Sequence, residues 1–363
     1  MSPAVLAERL RAQLLDDRPA GDPVEVVQAL LAVQGQDPRG ARLAIRARST
    51  GLAAGDVDRA LSVDRSLLIT WLNRGTLHLI CSQDYGWLHA LTAPRIVTAN
   101  ARRLAQEGVT EAAAERGLRR IERALSEEGS LTRAQLRDRL RSARVRTEGQ
   151  ALVHLLILAT LRGLTVRGPM VGSEHAYVLV HDWLGETSPV QRERALAELA
   201  RRYLAGHAPA DARDLARWSG LALGDARAGL SAIAGELRQR EDGLIELAKS
   251  PRARPSPRRR PGPRASVDAR PDALPELPPP RLLGAFDPLL LGWCSREPIV
   301  GRNKTLVTDN GLFRPFALVG GRAVAIWKLA GGEVLLEPFG RLPAAARRAL
   351  ELEAQDVQRF LAG

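Results

Sequence analysis

Lysine is nearly missing from this chain, cysteine occurs only at Cys81 and Cys294, and no apolar run approaches the length of a membrane span. Each scarcity excludes something. Two cysteines far apart in sequence, without metal-ligand spacing, offer neither a disulfide framework nor a zinc site and fit a reducing cytoplasm. A spanning helix needs about 20 consecutive apolar residues, so no membrane partner is expected. Residues 1–17 carry charges every few positions where a secretory signal would have an apolar stretch, and they read as a first helix. Clustered carboxylates with metal spacing are lacking too, which leaves a metal-dependent nuclease without its ligands. No metal and no cofactor is expected.

What the chain does have is arginine. Among 363 residues the formal net charge is +12, and arginine supplies nearly all of it. An Ala-, Arg-, Gly- and Pro-rich composition is also what GC-rich coding produces. A surplus of this size nevertheless creates a field that draws polyanions, of which nucleic acid is the commonest in a cytoplasm. The hydrophobic fraction of 45% is ordinary for a globular protein with a real core. The length suggests two or three packed units.

The fold class expected is α+β, predominantly helical, with tandem winged helix-turn-helix modules and a C-terminal β-rich region closed by a helix. Pro3 to Leu15 has helical apolar spacing. Asp22-Pro23 opens a second helix with an N-cap and a first-position proline, and that helix is expected to stop near Gly35. Short helices follow at 39–48 and from Gly55. The period then changes: Leu67–Leu72, the turn Asn73-Arg74-Gly75, and Thr76–Ile80 read as a β-hairpin. Helices followed by a hairpin are the order of a winged helix. The order recurs, which divides the chain into winged-helix regions at 1–108, 109–188 and 189–248. Residues 249–281 are Pro- and Arg-rich with almost nothing to bury and are expected to be a disordered loop. In 282–363 a hairpin over Phe313–Leu329 and a helix over Leu342–Leu361 close the chain. Tandem modules imply an extended groove along a duplex, bound by a monomer.

The segment Gln34-Gly35-Gln36-Asp37-Pro38 carries the densest polar chemistry beside an apolar helix. In an extended chain Gln34 and Gln36 share a side and Asp37 takes the other. Two amides on one side can hold a water and aim oxygen atoms at an electron-poor carbon. The same residues also read as a helix end, with Gly35 terminating the turn and both glutamines facing solvent. Asp37 would be the stronger base, yet an Asp before Pro is commonly a cap or turn residue.

Four blocks in order resemble the AlkZ and YcaQ type of DNA glycosylase, a winged-helix superfamily. Val33–Pro38 resembles its Gln-x-Gln signature, and Trp71–Leu79 its Trp-x-x-Arg-Gly-Thr-x-His block. Leu283–Trp293 is similar to its Phe-Asp-x-x-Leu-Leu-Gly-aromatic block. Gly311–Pro315, with Val319–Arg322 and Ile326-Trp327, is similar to its C-terminal hairpin. The family's middle position between the glutamines is often aliphatic, so Gly35 implies a more flexible loop. Gln36, where the YcaQ branch has Asp, places the chain nearer the AlkZ branch, associated with self-resistance to bulky DNA-alkylating natural products.

That resemblance implies a monofunctional glycosylase acting on duplex DNA that carries an alkylated purine, with bulky N7-alkylguanine as the substrate class. Gln34 and Gln36 are then the catalytic pair, orienting water and supporting a cationic sugar. Asp37, Thr76 and His78 are further candidates for the catalytic pocket. Arg39, Arg74, Arg314 and Arg322 are candidate DNA contacts. The protein would be cytoplasmic, and nucleoid-associated when on DNA. The competing reading is a non-catalytic winged-helix DNA binder, a transcription factor or lesion-sequestering protein.

Overall fold

The computed structural model describes residues 1–16, 20–172, 174–186, 190–248, 277–301, 303, 305–308 and 310–363. Most of the Pro/Arg-rich segment read as a loop lies outside the described residues. The chain folds as α+β, with helices packed around small antiparallel sheets.

The first part begins with α1 (Pro3–Ala12), whose N-cap Ser2 accepts from the Val5 amide, and α2 (Pro23–Leu30), capped by Asp22. Both place proline in the first turn, where its missing N–H costs nothing. Helix α2 does not run on to Gly35 as expected. Leu31 takes φ +66°, turning the chain after Leu30 into a two-residue strand, β1 (Val33–Gln34). Then come α3 (Pro38–Arg46), α4 (Ala54–Ser62), β2 (Leu67–Leu72) and β3 (Thr76–Cys81). The β2–β3 turn is built on left-handed Asn73 and Gly75.

A long helix, α5 (Tyr85–Gln106), leads to α6 (Glu111–Glu128), α7 (Arg133–Ser142) and α8 (Ala151–Leu161). The hairpin β4 (Thr165–Val171) and β5 (Glu174–Leu179) follows, then the short α9 (Val180–Leu184). The third run is α10 (Arg192–His207), α11 (Ala212–Ser219), α12 (Leu223–Ala232), β6 (Leu237–Gln239) and β7 (Ile245–Leu247). The C-terminal part holds β8 (Arg281–Leu283), α13 (Glu297–Val300), β9 (Phe316–Val319), β10 (Arg322–Ala330), β11 (Glu333–Pro338) and α14 (Ala344–Ala362).

The hairpins of the first two runs do not stand apart as separate wings. They join in one five-stranded sheet, order β1-β3-β2-β4-β5, through the pair Ile69↔Arg167. That join covers the β2 edge, which would otherwise present unpaired backbone groups. The C-terminal strands form a second sheet, β11-β10-β9-β8.

The two faces of the first sheet enter different cores. Ile69, Leu79 and Val33 pack with Trp327, Leu350 and Phe360 of the C-terminal part. Leu68, Leu72 and Ile80 pack with Tyr203, Trp218, Trp293 and Phe316. The C-terminal part therefore closes over the N-terminal one.

Two buried arginines hold that closure. Arg46 donates to Glu353, to Asp356 and to the Leu282 carbonyl. Arg48 and Asp287 have fully buried side chains and pair through two bonds, 2.7 and 2.9 Å. Arg48 also donates to the Gln13 and Ala44 carbonyls, while Asp287 accepts from the Leu289 amide. Every desolvated charge thus meets partners, which is the condition for such a pair to be tolerated.

Removing one partner strands the other. Asp287→Ala is expected to lower the unfolding free energy by about 3–5 kcal/mol. Lys328→Ala, which breaks an exposed pair with Glu337, is expected to leave the denaturation midpoint almost unmoved. Urea unfolding of both variants checks the contrast.

Candidate active site

Strand register builds the site. Gln34 pairs with His78 on β3, and His78 pairs with Thr70 on β2. Directly opposed residues project to one face, so Thr70, His78 and Gln34 form a polar row across three strands, with Thr76 beside it. On the same face lie Leu68, Leu72 and Ile80, which are core. Polar side chains set in an apolar face need partners or a purpose.

Gln34 faces a cavity. Its residue is 6% exposed; among the described residues no hydrogen bond is made by its carboxamide, which lines a cavity of about 270 Å³. Thr76 lines the same cavity, and its hydroxyl is buried without a hydrogen-bond partner. The apolar wall comes from Leu291 and Trp293 of the 283–293 block, with Val307 and Phe313. Three arginines complete the lining: Arg74 from the β2–β3 turn, Arg217 from α11, and Arg296 just before α13. No carboxylate lines the cavity among the described residues.

Gln36 is placed differently. It is exposed, and its amide oxygen accepts from the Leu77 backbone N–H at 3.4 Å, one residue from Thr76. Gly35 between the glutamines does not loosen the segment. Its N–H donates to the Leu77 carbonyl at 2.7 Å, and it is buried against β3. The expectation of a flexible loop is corrected: the segment is fastened to β3 from Val33 to Gln36. Asp37 is the N-cap of α3, accepting from the Gly40 amide at 2.8 Å. Its carboxylate is engaged in holding the helix start.

His78 is buried, and its Nδ1 lies 2.9 Å from the Thr76 carbonyl oxygen. A carbonyl only accepts, so Nδ1 carries the proton and Nε2 keeps a lone pair. Burial, reinforced by the nearby charge of Arg74, pushes its pKa down to about 3. It stays neutral throughout the physiological range.

Arg74 donates to the Trp218 carbonyl at 2.5 Å and to the Arg217 carbonyl at 3.4 Å, at the end of α11. Gly220 makes that docking possible. It ends α11 at φ +74°, and a side chain there would come within 3.0 Å of the Asn73 carbonyl oxygen. Arg296 lies over the Phe313 ring, 4.8 Å from its centre. Burial first, and then the charges of Arg217 and Arg296, press the Arg74 pKa down to about 10.

The cavity thus gathers Gln34, Arg74 and Thr76 from the residues singled out in sequence, with His78 adjoining. Arg39, Arg314 and Arg322 are exposed and outside its lining. The β9–β10 turn beside Arg322 rests on Leu6 and Leu10 of α1, and Trp327 is buried, donating to the Leu283 carbonyl at 2.9 Å. Arg217 and Arg296 were missed by sequence reasoning. Nothing local marks them except a nearby tryptophan in each case.

A family model for AlkZ-like DNA glycosylases matches residues 27–360. An interstrand DNA cross-link repair glycosylase of Streptomyces sahachiroi is 26% identical over 377 residues, covering 98% of this chain and 95% of that protein. The solved structure of the Streptomyces sahachiroi DNA glycosylase AlkZ superposes with a TM-score of 0.75 at 24% identity. It covers 99% of this chain and 96% of its own.

Two glycines of the site segment should respond oppositely to a methyl group. At Gly35 a Cβ would meet its nearest neighbours at 3.5 Å or more, ordinary contact; at Gly40 it would lie 2.3 Å from the Ala285 carbonyl oxygen. Gly35→Ala should keep the melting temperature and DNA excision of the parent. Gly40→Ala should lose both, because it pushes the 283–293 block off α3. Thermal melts and excision assays read the pair.

Proposed function

Since the chain belongs to the AlkZ-like DNA glycosylase family, we propose that the glycosidic bond it hydrolyses is that of N7-alkylated guanine carrying a bulky adduct. The observation that supports this most is the bare carboxamide of Gln34 in a cavity without a carboxylate among its described lining residues. A neutral amide cannot protonate a leaving group or accept a proton strongly. It can orient a water and turn a carbonyl dipole toward developing positive charge. Such a site suits a base that leaves without help.

An N7-alkylated guanine is that base, since its imidazole ring already carries a positive charge. Breaking the C1′–N9 bond sends the electron pair to N9 and neutralises the ring. The sugar becomes oxocarbenium-like, and water adds at C1′, as in other glycoside hydrolyses. The water's surplus proton passes to solvent, and an abasic site remains. Gln34 supports the sugar and the water. Gln36, held by the Leu77 N–H, acts from the same strand edge. Asp37 serves α3 as its cap and takes no direct part.

Arg39, Arg314 and Arg322 take phosphates along the duplex, bound by a monomer. The curated relative's repair of interstrand cross-links fits the same chemistry, because a cross-linker attached at guanine N7 also leaves a cationic base. Repair of, or self-resistance to, a genotoxic natural product is the role proposed, in the cytoplasm and on the nucleoid.

In duplex DNA containing 7-methylguanine, alkali should cleave at the lesion after treatment with the protein. Gln34→Ala should cut the single-turnover rate by about 100-fold or more, the usual scale for losing an oriented catalytic dipole. Lesion binding without any abasic product from the parent protein contradicts the proposal. The pH profile is equally specific. With the adjoining His78 depressed to about 3 and no carboxylate, cysteine or histidine among the described lining residues, the rate should be flat from about pH 5.5 to 8.5. An inflection inside that window would reveal an acid or base elsewhere.

A further inference from the structure

The cavity poses an electrostatic problem. Arg74, Arg217 and Arg296 arrive from three distant segments of the chain and face one small space. Among the described residues no carboxylate pairs with any of them. Arg74 donates to the backbone carbonyls of Arg217 and Trp218, and Arg296 rests on the Phe313 ring, so the partners that the described residues give these two guanidinium groups are neutral. Arg74 and Arg296 are half-buried and Arg217 is exposed at the rim, and like charges brought to one space repel one another unless an anion joins them. They would also oppose a sugar turning cationic beside Gln34. A site of this composition is unfavourable to the reaction until something negative enters it.

The size of the space narrows what enters. At about 270 Å³ it lies below the roughly 300–1,000 Å³ of pockets that enclose drug-sized ligands. A guanine with a bulky adduct does not enter whole. A sugar with its phosphate does. The Thr76 hydroxyl, buried without a partner in the same lining, supplies a neutral donor beside the three cations.

We propose that Arg74, Arg217 and Arg296, with Thr76, clamp one backbone phosphate flanking the target nucleotide, and that this phosphate supplies the cationic sugar with the negative charge that the described lining residues do not. The assignment of N7-alkylguanine above is its starting point. The clamp makes DNA part of its own catalytic field: the arginines hold the phosphate in place, and the phosphate offsets them. It also selects against a free alkylated nucleoside, which lacks the phosphate.

The test alters the DNA as well as the protein. In a duplex with 7-methylguanine, one flanking phosphate at a time is replaced by an uncharged methylphosphonate. Excision by the parent protein should fall on the order of 100-fold at one of the two positions, as expected for losing a charge a few ångströms away. The double variant Arg217→Gln/Arg296→Gln should be comparably slow on unmodified backbone and should lose little more on the methylphosphonate. Equal methylphosphonate penalties in parent and variant, or none in either, overturn the clamp.

Affinity for a duplex holding a tetrahydrofuran abasic analogue separates this proposal from the substrate assignment, since it needs no excision. There the salt slope should drop by about one for each arginine removed, and the methylphosphonate should weaken the parent protein alone. That result in a protein that excises no 7-methylguanine keeps the clamp and removes the substrate. Unchanged affinity and slope in the variant remove the clamp even where excision is active.

Discussion

The Arg48–Asp287 pair is the interaction on which the site rests. Two opposite charges, both fully buried, join the residue just past α3 to the loop after β8. Burying them is expensive, and the expense is offset only because each remaining polar group has a partner in Gln13, Ala44 or Leu289. Any displacement of the C-terminal part would leave at least one charge unmatched. The 283–293 block is therefore fixed in position on the N-terminal helices, with Gly40 and Gly284 close enough to exclude side chains between them. Leu291 and Trp293 lie on that block, and they wall the cavity in which Gln34 ends.

The chemistry follows from what the cavity contains. The polar residues of its described lining, a glutamine, a threonine and three arginines, include no strong acid or base for neutral pH. Neutral His78 adds only the Nε2 lone pair, because burial keeps that nitrogen from taking a second proton. Electrostatic preorganisation around a leaving group that is already charged is the route proposed. In that setting positive side chains help only through an anion that they hold.

Much of this arrangement could be read in the amino-acid sequence. Asp22-Pro23 announced a helix start, and Asn73-Arg74-Gly75 between two alternating runs announced the hairpin; both are present. The α+β class was legible from the order of helical and strand-like runs, and the glycosylase family from four ordered blocks. The end of α2 was not. Leu31 at φ +66° breaks the helix without a glycine, so Gly35 looked like the terminator when it lies just past β1, hydrogen-bonded to Leu77. The union of two hairpins in one sheet was also hidden, because a single long-range pair, Ile69↔Arg167, carries it. Arg217 and Arg296 look like any surface arginine until tertiary packing brings them to Arg74. Local pattern encodes elements well, and convergence of distant segments poorly.

The reaction proposed takes no acid from the protein and depends on a base that carries its own charge. Its most direct measurement compares single-turnover excision of 7-methylguanine with that of hypoxanthine, an uncharged lesion, in otherwise identical duplexes. Release of 7-methylguanine and no detectable release of hypoxanthine are expected at any pH where the protein is folded. Hypoxanthine released at a comparable rate would mean that some group protonates the leaving base, and the electrostatic account would be wrong.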